Sequence, residues 1–586
     1  MPLTDLLAQE VGTVRKKWRD RLPIALLYPA PYSLAVSNLG WQLLYHRLNS
    51  FESVVCERFV YPEADQLFRS LESSRPLSDF SLVFASISFE QDYPALAAML
   101  VAGGIEPFAE KREGRIVPGN PLVVLGGVAV FMNPEPLAPF ADLMVIGEAE
   151  PVLPGLVSRL AELTDNCDRT RLVHEFASGM AGCYAPSLYR CRYDSLGRLQ
   201  GWKRQPGLPE QVRRIALKAP EGVASHSTIL SPQAELGMFM VELGRGCSRG
   251  CRFCAAGFIY RPPRLWSADA VISALEKRPS FCRHIGLLGM EMSGAATLDR
   301  LAGYLRQQGC SLSFSSLRAD RITDDLLALL ESSGLKSVAI APDGCSQRLR
   351  MVINKGLATE DILRAAGDLA RTGIHTLKLY VMIGLPTETR EDLDEFIALV
   401  GSLHQELLAV GRRRGRICQM MLSVNSFVPK PWTPFQYVGF GGGLPCGAGA
   451  AEETDPLPAL RKKLRYLKQG LRSIANIQLR SERPERALQQ AVFSRADRRI
   501  APVLLDIGTG KRSFKQAMKY HGLSPWQYGI RSRSREELFC WDIIDHGLKK
   551  EYLWRELEKA LAGRETVACD TAVCRRCGVC NAAEFS

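Results

Sequence analysis

The chain reads as an α/β protein in four parts: an N-terminal Rossmann-like parallel sheet, a central partial (βα)6 barrel, a small helical C-terminal region and a Cys-rich tail. Three observations predict it. Strand-like and helix-like runs alternate over residues 22–200, they alternate again over 236–480, and seven of the 17 cysteines fall in two short clusters, Cys247–Cys254 and Cys569–Cys580. Alternation of this kind argues for parallel sheets covered by helices. The 586 residues leave room for about three or four domains on a prior of ~150 residues each. The expected divisions are 1–205 for the sheet domain, 206–235 for a linker, 236–480 for the barrel, 481–565 for the helical region and 566–586 for the tail.

In the first domain, apolar runs at Leu22–Tyr28, Leu82–Ser88, Leu122–Leu125 and Leu143–Ile146 predict strands. Apolar spacing over Asn38–Asn49, Tyr93–Ala102 and Glu150–Leu163 predicts helices. Gly126-Gly127 and Gly147-Glu-Ala-Glu-Pro151 stand where such sheets bind ligands, at strand C-terminal edges, although a doubly wound domain can equally be structural. Barrel strands are expected at Gly237–Glu242, His284–Leu288, Ser311–Ser315, Ser337–Ile340, Thr376–Met382 and Gln419–Ser426. Active sites of βα barrels gather at the C-terminal ends of such strands. Residues 440–455 read as a flexible Gly-rich insertion, Ala459–Ile474 and Pro484–Phe493 as helices, and the helical region runs to about Leu561.

Hydrophobic residues make up 46% and charged residues 23%, which is ordinary globular composition with ample core. Met1–Glu10 carries two acids and no basic run, so no secretory signal is expected. The apolar runs around Ser81–Phe89 and Pro121–Phe131 are too short to cross a membrane. Clustered cysteines without secretion point to reduced thiols and metal in the cytoplasm. The net charge of +12, with basic clusters at Arg412–Arg416, Arg461–Arg465 and Arg495–Arg499, suits either RNA attraction or an ordinary basic surface.

Most of the chemistry lies in Gly244-Arg-Gly-Cys-Ser-Arg-Gly-Cys-Arg-Phe-Cys-Ala-Ala-Gly257, directly after a predicted strand. Thiolates of Cys247, Cys251 and Cys254 at C-x3-C-x2-C spacing can hold three irons of a [4Fe-4S] cluster. A fourth Cys completes the usual electron-transfer site, and none lies nearby. One iron is then left open, as in catalytic metal sites. A structural zinc site and buried inert thiols are the alternatives, but zinc usually takes four ligands.

With Phe253 before the last Cys, this run resembles the signature of the radical SAM superfamily. The resemblance implies that the open iron binds the amino and carboxylate groups of S-adenosylmethionine (SAM). One electron from the reduced cluster then cleaves SAM to methionine and a 5′-deoxyadenosyl radical that abstracts hydrogen from a substrate. In Leu288-Gly-Met-Glu-Met-Ser293, Gly289 and Glu291 are the nearest match to the family's Gly-Gly-Glu, which holds the cofactor's amino group. Arg318 is placed to pair with the cofactor carboxylate through its fork of donors. Asp343 falls beside the expected cofactor pocket, or else caps the helix that follows. Ile353-Asn-Lys-Gly356 with Gly384-Leu385-Pro386-Thr-Glu-Thr389 resembles members that include tRNA methylthiotransferases and cobalamin-type enzymes, where the Gly-Leu-Pro turn lies beside the adenosyl moiety. Cys345 also follows a barrel strand, with a buried inert thiol as its default reading.

Tyr28-Pro29, Ser37-Asn-Leu-Gly40, Gly126-Gly127, Asn133-Pro-Glu-Pro136, Asp142 and Gly147-Glu-Ala-Glu150 look like the N-terminal region of cobalamin-type radical SAM proteins. Many of these place cobalamin in the Rossmann-like domain. There is no Asp-x-His-x-x-Gly to supply a lower axial His, and His46 falls on a predicted helix. In the tail, Cys569, Cys574, Cys577 and Cys580 form C-x4-C-x2-C-x2-C, a closed four-ligand set suited to a second iron–sulfur cluster or to zinc.

The expectation is therefore a radical SAM enzyme of unknown substrate, with methylation as its chemistry if cobalamin binds. Its partners would be SAM and an electron donor such as flavodoxin or ferredoxin, with no membrane. A methylthiotransferase-like enzyme acting on tRNA or other RNA and a non-enzymatic iron–sulfur electron carrier are the alternatives.

Overall fold

The computed structural model describes residues 3–62, 66–112, 114–162, 168–218, 222–291, 294–314, 316–445 and 454–581. Part of the 440–455 insertion, and Ser293 and Ser315 at two of the expected strand ends, lie outside the described residues.

The first sheet contains β1 (Leu22–Tyr28), β2 (Val54–Val60), β3 (Leu82–Ser86), β4 (Leu122–Gly126), β5 (Leu143–Val145) and β6 (Cys183–Tyr184), in the order β2-β1-β3-β4-β5-β6. All neighbours are parallel except β5 and β6. Strand order reverses between β1 and β3, which makes that edge the topological switch point where such sheets take ligands. Asn38 begins the helix Leu39–Ser50 by accepting from the Trp41 N–H at 2.9 Å. Its amide also donates to Ser88 Oγ at 3.2 Å, tying the two sides of the switch point together. Gly127 turns the chain after β4 at φ +100°, and a Cβ there would stand 2.4 Å from the Ile87 carbonyl oxygen.

β2 was not legible as a strand because Glu57 and Arg58 interrupt its apolar run. Arg58 is wholly buried and is compensated by Glu10 and Glu72, each at 2.6 Å. A hairpin of β7 (Tyr189–Tyr193) and β8 (Leu199–Arg204) follows. Next comes β9 (Val212–Arg213), inside residues 206–235. That stretch is pinned at further points, where Leu230 bridges to Val11 and His226 to Val241.

The barrel begins with β10 (Phe239–Arg245), flanked by the short antiparallel β11 (Arg264–Leu265) and by β12 (His284–Gly289), which pairs in turn with β13 (Ser311–Phe314). β14 (Ser337–Gly344), β15 (Thr376–Ile383) and β16 (Gln419–Ser426) form a second parallel group. The two groups meet at the parallel bridge Leu317–Ile340, so the six expected strands run in chain order around one arc. A seventh, β17 (Ile477–Ser481), extends the arc beside β16. Finally β18 (Ile544–Asp545) returns to pair with β9. Among the described residues no helix is long and apolar enough to cross a membrane.

His546 holds the parts together. It is 3% exposed, its ring packs edge-on against Trp432 at 4.6 Å, and its Nε2 meets the Phe131 carbonyl at 2.8 Å. Nδ1 has no partner, so a second ring proton would be buried without an acceptor, and burial holds the imidazole neutral well below its ordinary range. The unfolded chain therefore takes up a proton near pH ~6.5 that the folded chain refuses, and stability falls as pH drops below that value by up to about 1.4 kcal/mol per pH unit. Comparing thermal midpoints at pH 7 and pH 5 is expected to show a smaller loss in His546→Gln than in the parent.

Candidate active site

β10 delivers the chain into the cysteine loop. Gly246, at φ +83°, lets the backbone pass the Tyr260 carbonyl, which a Cβ would approach to 2.7 Å. Arg252 anchors the loop from within. It is fully buried, donates to the carbonyls of Met351 and Val352 at 3.1 and 2.9 Å, and pairs with Glu556 at 3.2 Å. Its backbone N–H donates to Ile353 O at 2.9 Å. Cys247, Cys251 and Cys254 lie within electrostatic reach of one another. As free thiols, all three are pushed up by burial, Cys247 to about 12 and Cys254 to about 11. Binding metal would therefore release protons.

Charged groups from the other strand ends surround these thiols. Glu291, after β12, accepts from the Ser248 N–H at 2.6 Å and from its hydroxyl at 2.5 Å. Its carboxylate thus braces the cysteine loop. Gly289 ends β12 opposite Gly244, with no room for a Cβ against Glu291 O at 2.9 Å. Arg318 does present a planar fork, but Asp320 fills it at 2.9 and 3.1 Å, and Arg318 also donates to the carbonyls of Lys355 and Gly356. Asp343 sits at φ +62° and pairs with Lys355 at 2.5 Å. The following helix is capped by Ser346, which accepts from Leu349 N–H at 3.0 Å, so Asp343 has no capping role. Burial raises the Asp343 carboxyl, against the pull of Lys355. Cys251 feels Lys355, Asp343 and Arg318 together.

The Gly384-Leu385-Pro386 turn keeps different company. Gly384 (φ +75°) donates its N–H to the Glu388 carboxylate at 3.0 and 3.1 Å, and Glu388 pairs with Lys463 at 2.5 Å. Leu385 is buried. Cys345 is wholly buried, with its thiol against the Met382 carbonyl, as an inert core thiol would be.

Sequence reasoning missed three contributors. Lys355 and Asn354 belong to a motif that was recognised without roles for its members, and Ser248 carried no signal. Asn354 is a bridge: its amide donates to Gly250 O at 3.2 Å and Thr566 O at 3.1 Å and accepts from Thr566 N–H at 2.7 Å. It therefore ties the cysteine loop to the tail. Tail contact continues where the Cys569 N–H donates to Ser248 O at 2.7 Å. Within the tail, Cys569, Cys574, Cys577 and Cys580 lie within electrostatic reach of one another, and Arg576 donates to the Cys574 sulfur at 3.2 Å. Among the described residues, no three His, Cys, Asp or Glu side chains are disposed to hold a single metal ion.

A cavity of about 450 Å³ lies between the first sheet and the barrel. Asn38, Ser88, Gly126 and Glu150 border it from the sheet, and Arg245 and Met290 from the barrel. No His lines it. Glu148 joins the two sides: it takes Arg264 at 2.5 Å, Arg245 at 3.0 Å and the Leu217 N–H at 2.8 Å. Burial opposes its ionisation, but the two arginines outweigh that and hold the carboxyl below the usual carboxylate range. The other N-terminal marks are structural: Glu135 pairs with Arg498 at 2.8 Å, and Asp142 with Arg112 and Arg169 at 3.1 and 3.0 Å. The basic run Arg495–Arg499 turns inward. Arg495 is 1% exposed, and Arg498 and Arg499 are paired with Glu135 and Asp497.

Residues 40–186 match the family model for the N-terminal region of radical SAM proteins, and residues 241–400 match that of the radical SAM superfamily. An uncharacterized protein of Methanocaldococcus jannaschii is 26% identical over 502 residues, which is 85% of this chain and 93% of that protein. Among solved structures, the radical SAM methyltransferase TsrM from Kitasatospora setae, with cobalamin and a [4Fe-4S] cluster bound, is 14% identical at a TM-score of 0.48, over 92% of this chain and 100% of that one. The cobalamin-dependent radical SAM enzyme OxsB, with aqua-cobalamin bound, is 13% identical at a TM-score of 0.44, over 93% of this chain and 80% of that one.

Proposed function

We propose, from the premise that this chain is a radical SAM protein with the superfamily domain over residues 241–400, that Cys247, Cys251 and Cys254 form its active centre. The observation that carries the reading is the gathering of these thiols with Glu291, Arg318 and Asp343 from three successive strand ends and with Lys355 from the turn after the helix Gln347–Val352. When bound there, a [4Fe-4S] cluster supplies the electron that splits SAM into methionine and a 5′-deoxyadenosyl radical. The residues of the chain do the rest. The three thiolates hold three irons and leave one open. Glu291 keeps the loop in place through Ser248. Arg318 offers the SAM carboxylate its fork once Asp320 releases it. Gly289 would let the backbone approach the amino group, and the family resemblance would assign Gly384, Leu385 and Pro386 to the adenosyl side. Anaerobic incubation with SAM and dithionite tests this: 5′-deoxyadenosine is expected, and its absence from a fully iron-loaded chain would reject the reading.

The cavity favours cobalamin as a second cofactor. It opens at the C-terminal edge of the first sheet and reaches Gly289 and Met290, beside Glu291. A Cβ built on Gly126 would make only ordinary van der Waals contact, 3.9 Å from the Val145 carbonyl oxygen, so a side chain is tolerated there at the wall of the cavity. A corrinoid held there would supply methyl transfer to an unreactive carbon. Among the described residues that line the cavity there is no His that could serve as a cobalt ligand. Gly126→Leu is expected to weaken corrinoid uptake by at least about tenfold, judged by the steric cost of overfilling a site, while the iron content stays as in the parent. Equal cobalt absorbance in both proteins would reject the site. Of the three basic runs, Arg495–Arg499 turns inward, while Arg412–Arg416 and most of Arg461–Arg465 stay exposed, so the surface charge that would attract RNA rests on those two.

A further inference from the structure

We propose that the tail cysteines Cys569, Cys574, Cys577 and Cys580 hold a second iron–sulfur centre that passes electrons from a carrier protein into the cluster on Cys247, Cys251 and Cys254. This rests on the assignment of that first cluster. Position carries the argument. The Cys569 N–H is bonded to the carbonyl of Ser248, the residue next to Cys247, so a ligand of one site touches the ligand loop of the other. Asn354 clips Thr566 to Gly250 with three hydrogen bonds. Just before the tail, Arg252 donates to Arg564 O at 2.7 Å. The tail is therefore tied to the cysteine loop at two points, through Cys569 and Thr566, with a third tie at the residue leading into it.

Its other side faces outward. Val567 and Val573 are 78% and 75% exposed, and Arg575 is exposed beside them, so an acidic one-electron carrier can reach this edge. Chemistry separates the two metals that four thiolates suit. Zinc carries no electron, whereas the first three tail ligands have the C-x4-C-x2-C spacing of plant-type iron–sulfur sites. A redox centre has a use at this position, against the ligand loop of a cluster that must be reduced. In the balanced step, the carrier is oxidised by one electron, which crosses the tail centre to the first cluster. There it breaks the sulfonium S–C5′ bond, so each electron yields one methionine and one 5′-deoxyadenosyl radical, with no proton transferred on the way.

The test uses the full chain reconstituted anaerobically with iron and sulfide. The parent is expected to hold about two to four irons beyond the roughly four of the first cluster; a variant with all four tail cysteines changed to Ser is expected to keep only about four, and a variant with Cys247, Cys251 and Cys254 changed to Ala only the tail's two to four. The tail variant is expected to form 5′-deoxyadenosine normally with dithionite, but at least about tenfold more slowly with reduced flavodoxin. Zinc in place of iron in the tail, or equal flavodoxin-driven rates, would overturn the proposal. If the parent holds only about four irons, the variant that loses them decides which assignment fails: loss in the triple Ala variant removes the relay, and loss in the tail variant removes the first cluster. Should the tail variant not fold, Asn354→Leu keeps every cysteine. Its ratio of flavodoxin-driven to dithionite-driven rate is expected to fall, and an unchanged ratio rejects the relay.

Discussion

Cys251→Ala is expected to lower SAM cleavage by more than about a hundredfold, the upper end of what changes behind a metal ligand cost, because here a ligand itself is lost. The thiol lies among Lys355, Asp343 and Arg318, so its removal leaves these charged groups without the sulfur they surround. Two comparisons separate chemistry from folding. Ser248→Ala removes only the hydroxyl that Glu291 accepts from and leaves the backbone N–H bond, so a loss of about tenfold is expected. Cys345→Ala removes a buried thiol with no part in the site, and activity close to that of the parent is expected. 5′-Deoxyadenosine yield per bound iron, with far-UV circular dichroism as a fold check, reads all three. Full activity in Cys251→Ala would remove the loop from the mechanism.

Glu148→Ala is expected to destabilise the chain by about 3–5 kcal/mol, the cost of leaving buried charge without its partner. Two guanidiniums depend on this carboxylate. Arg264 loses its principal counter-charge, while Arg245 keeps Glu150 and Glu242 at 2.6 and 2.9 Å. The Leu217 N–H also loses its acceptor. Because Glu148 comes from the first sheet and both arginines from the barrel, the loss should appear first as separation of the two parts. Urea unfolding followed by tryptophan fluorescence should turn from one transition to two. A single transition at the parental midpoint would show that the network contributes nothing to joining them. Glu148→Gln keeps an acceptor and is expected to lose less.

The strands were largely legible because a parallel strand buried on both faces is a short, continuous apolar run. β1 spans Leu22–Tyr28 as such a run, whereas β16 spans Gln419–Ser426 with buried and more exposed positions in alternation. β2 and β17 escaped. In β2, buried charge breaks the run, and β17 (Ile-Gln-Leu-Arg-Ser) is half-exposed and carries only a weak alternation. The cysteine loop was legible because its ligands lie within eight residues of one another, a spacing that backbone geometry alone converts into a common site.

Partners were another matter. Glu291 and Arg318 are expected to hold the cofactor's amino and carboxylate groups, and their immediate contacts are with Ser248 and Asp320. A carboxylate or guanidinium carries no mark of what will stand beside it, since that depends on where separate strands end in space.

Thiol chemistry and local spacing are written in the order of residues, which is why Cys247, Cys251, Cys254 and the four tail cysteines declare themselves without coordinates. Nothing in that order says that the tail returns to Ser248, that Arg252 meets Glu556 from 304 positions away, or that Arg495 points inward. Those contacts form because burying a charge or a peptide group demands a partner, and only the packed chain decides which distant group is near enough to serve.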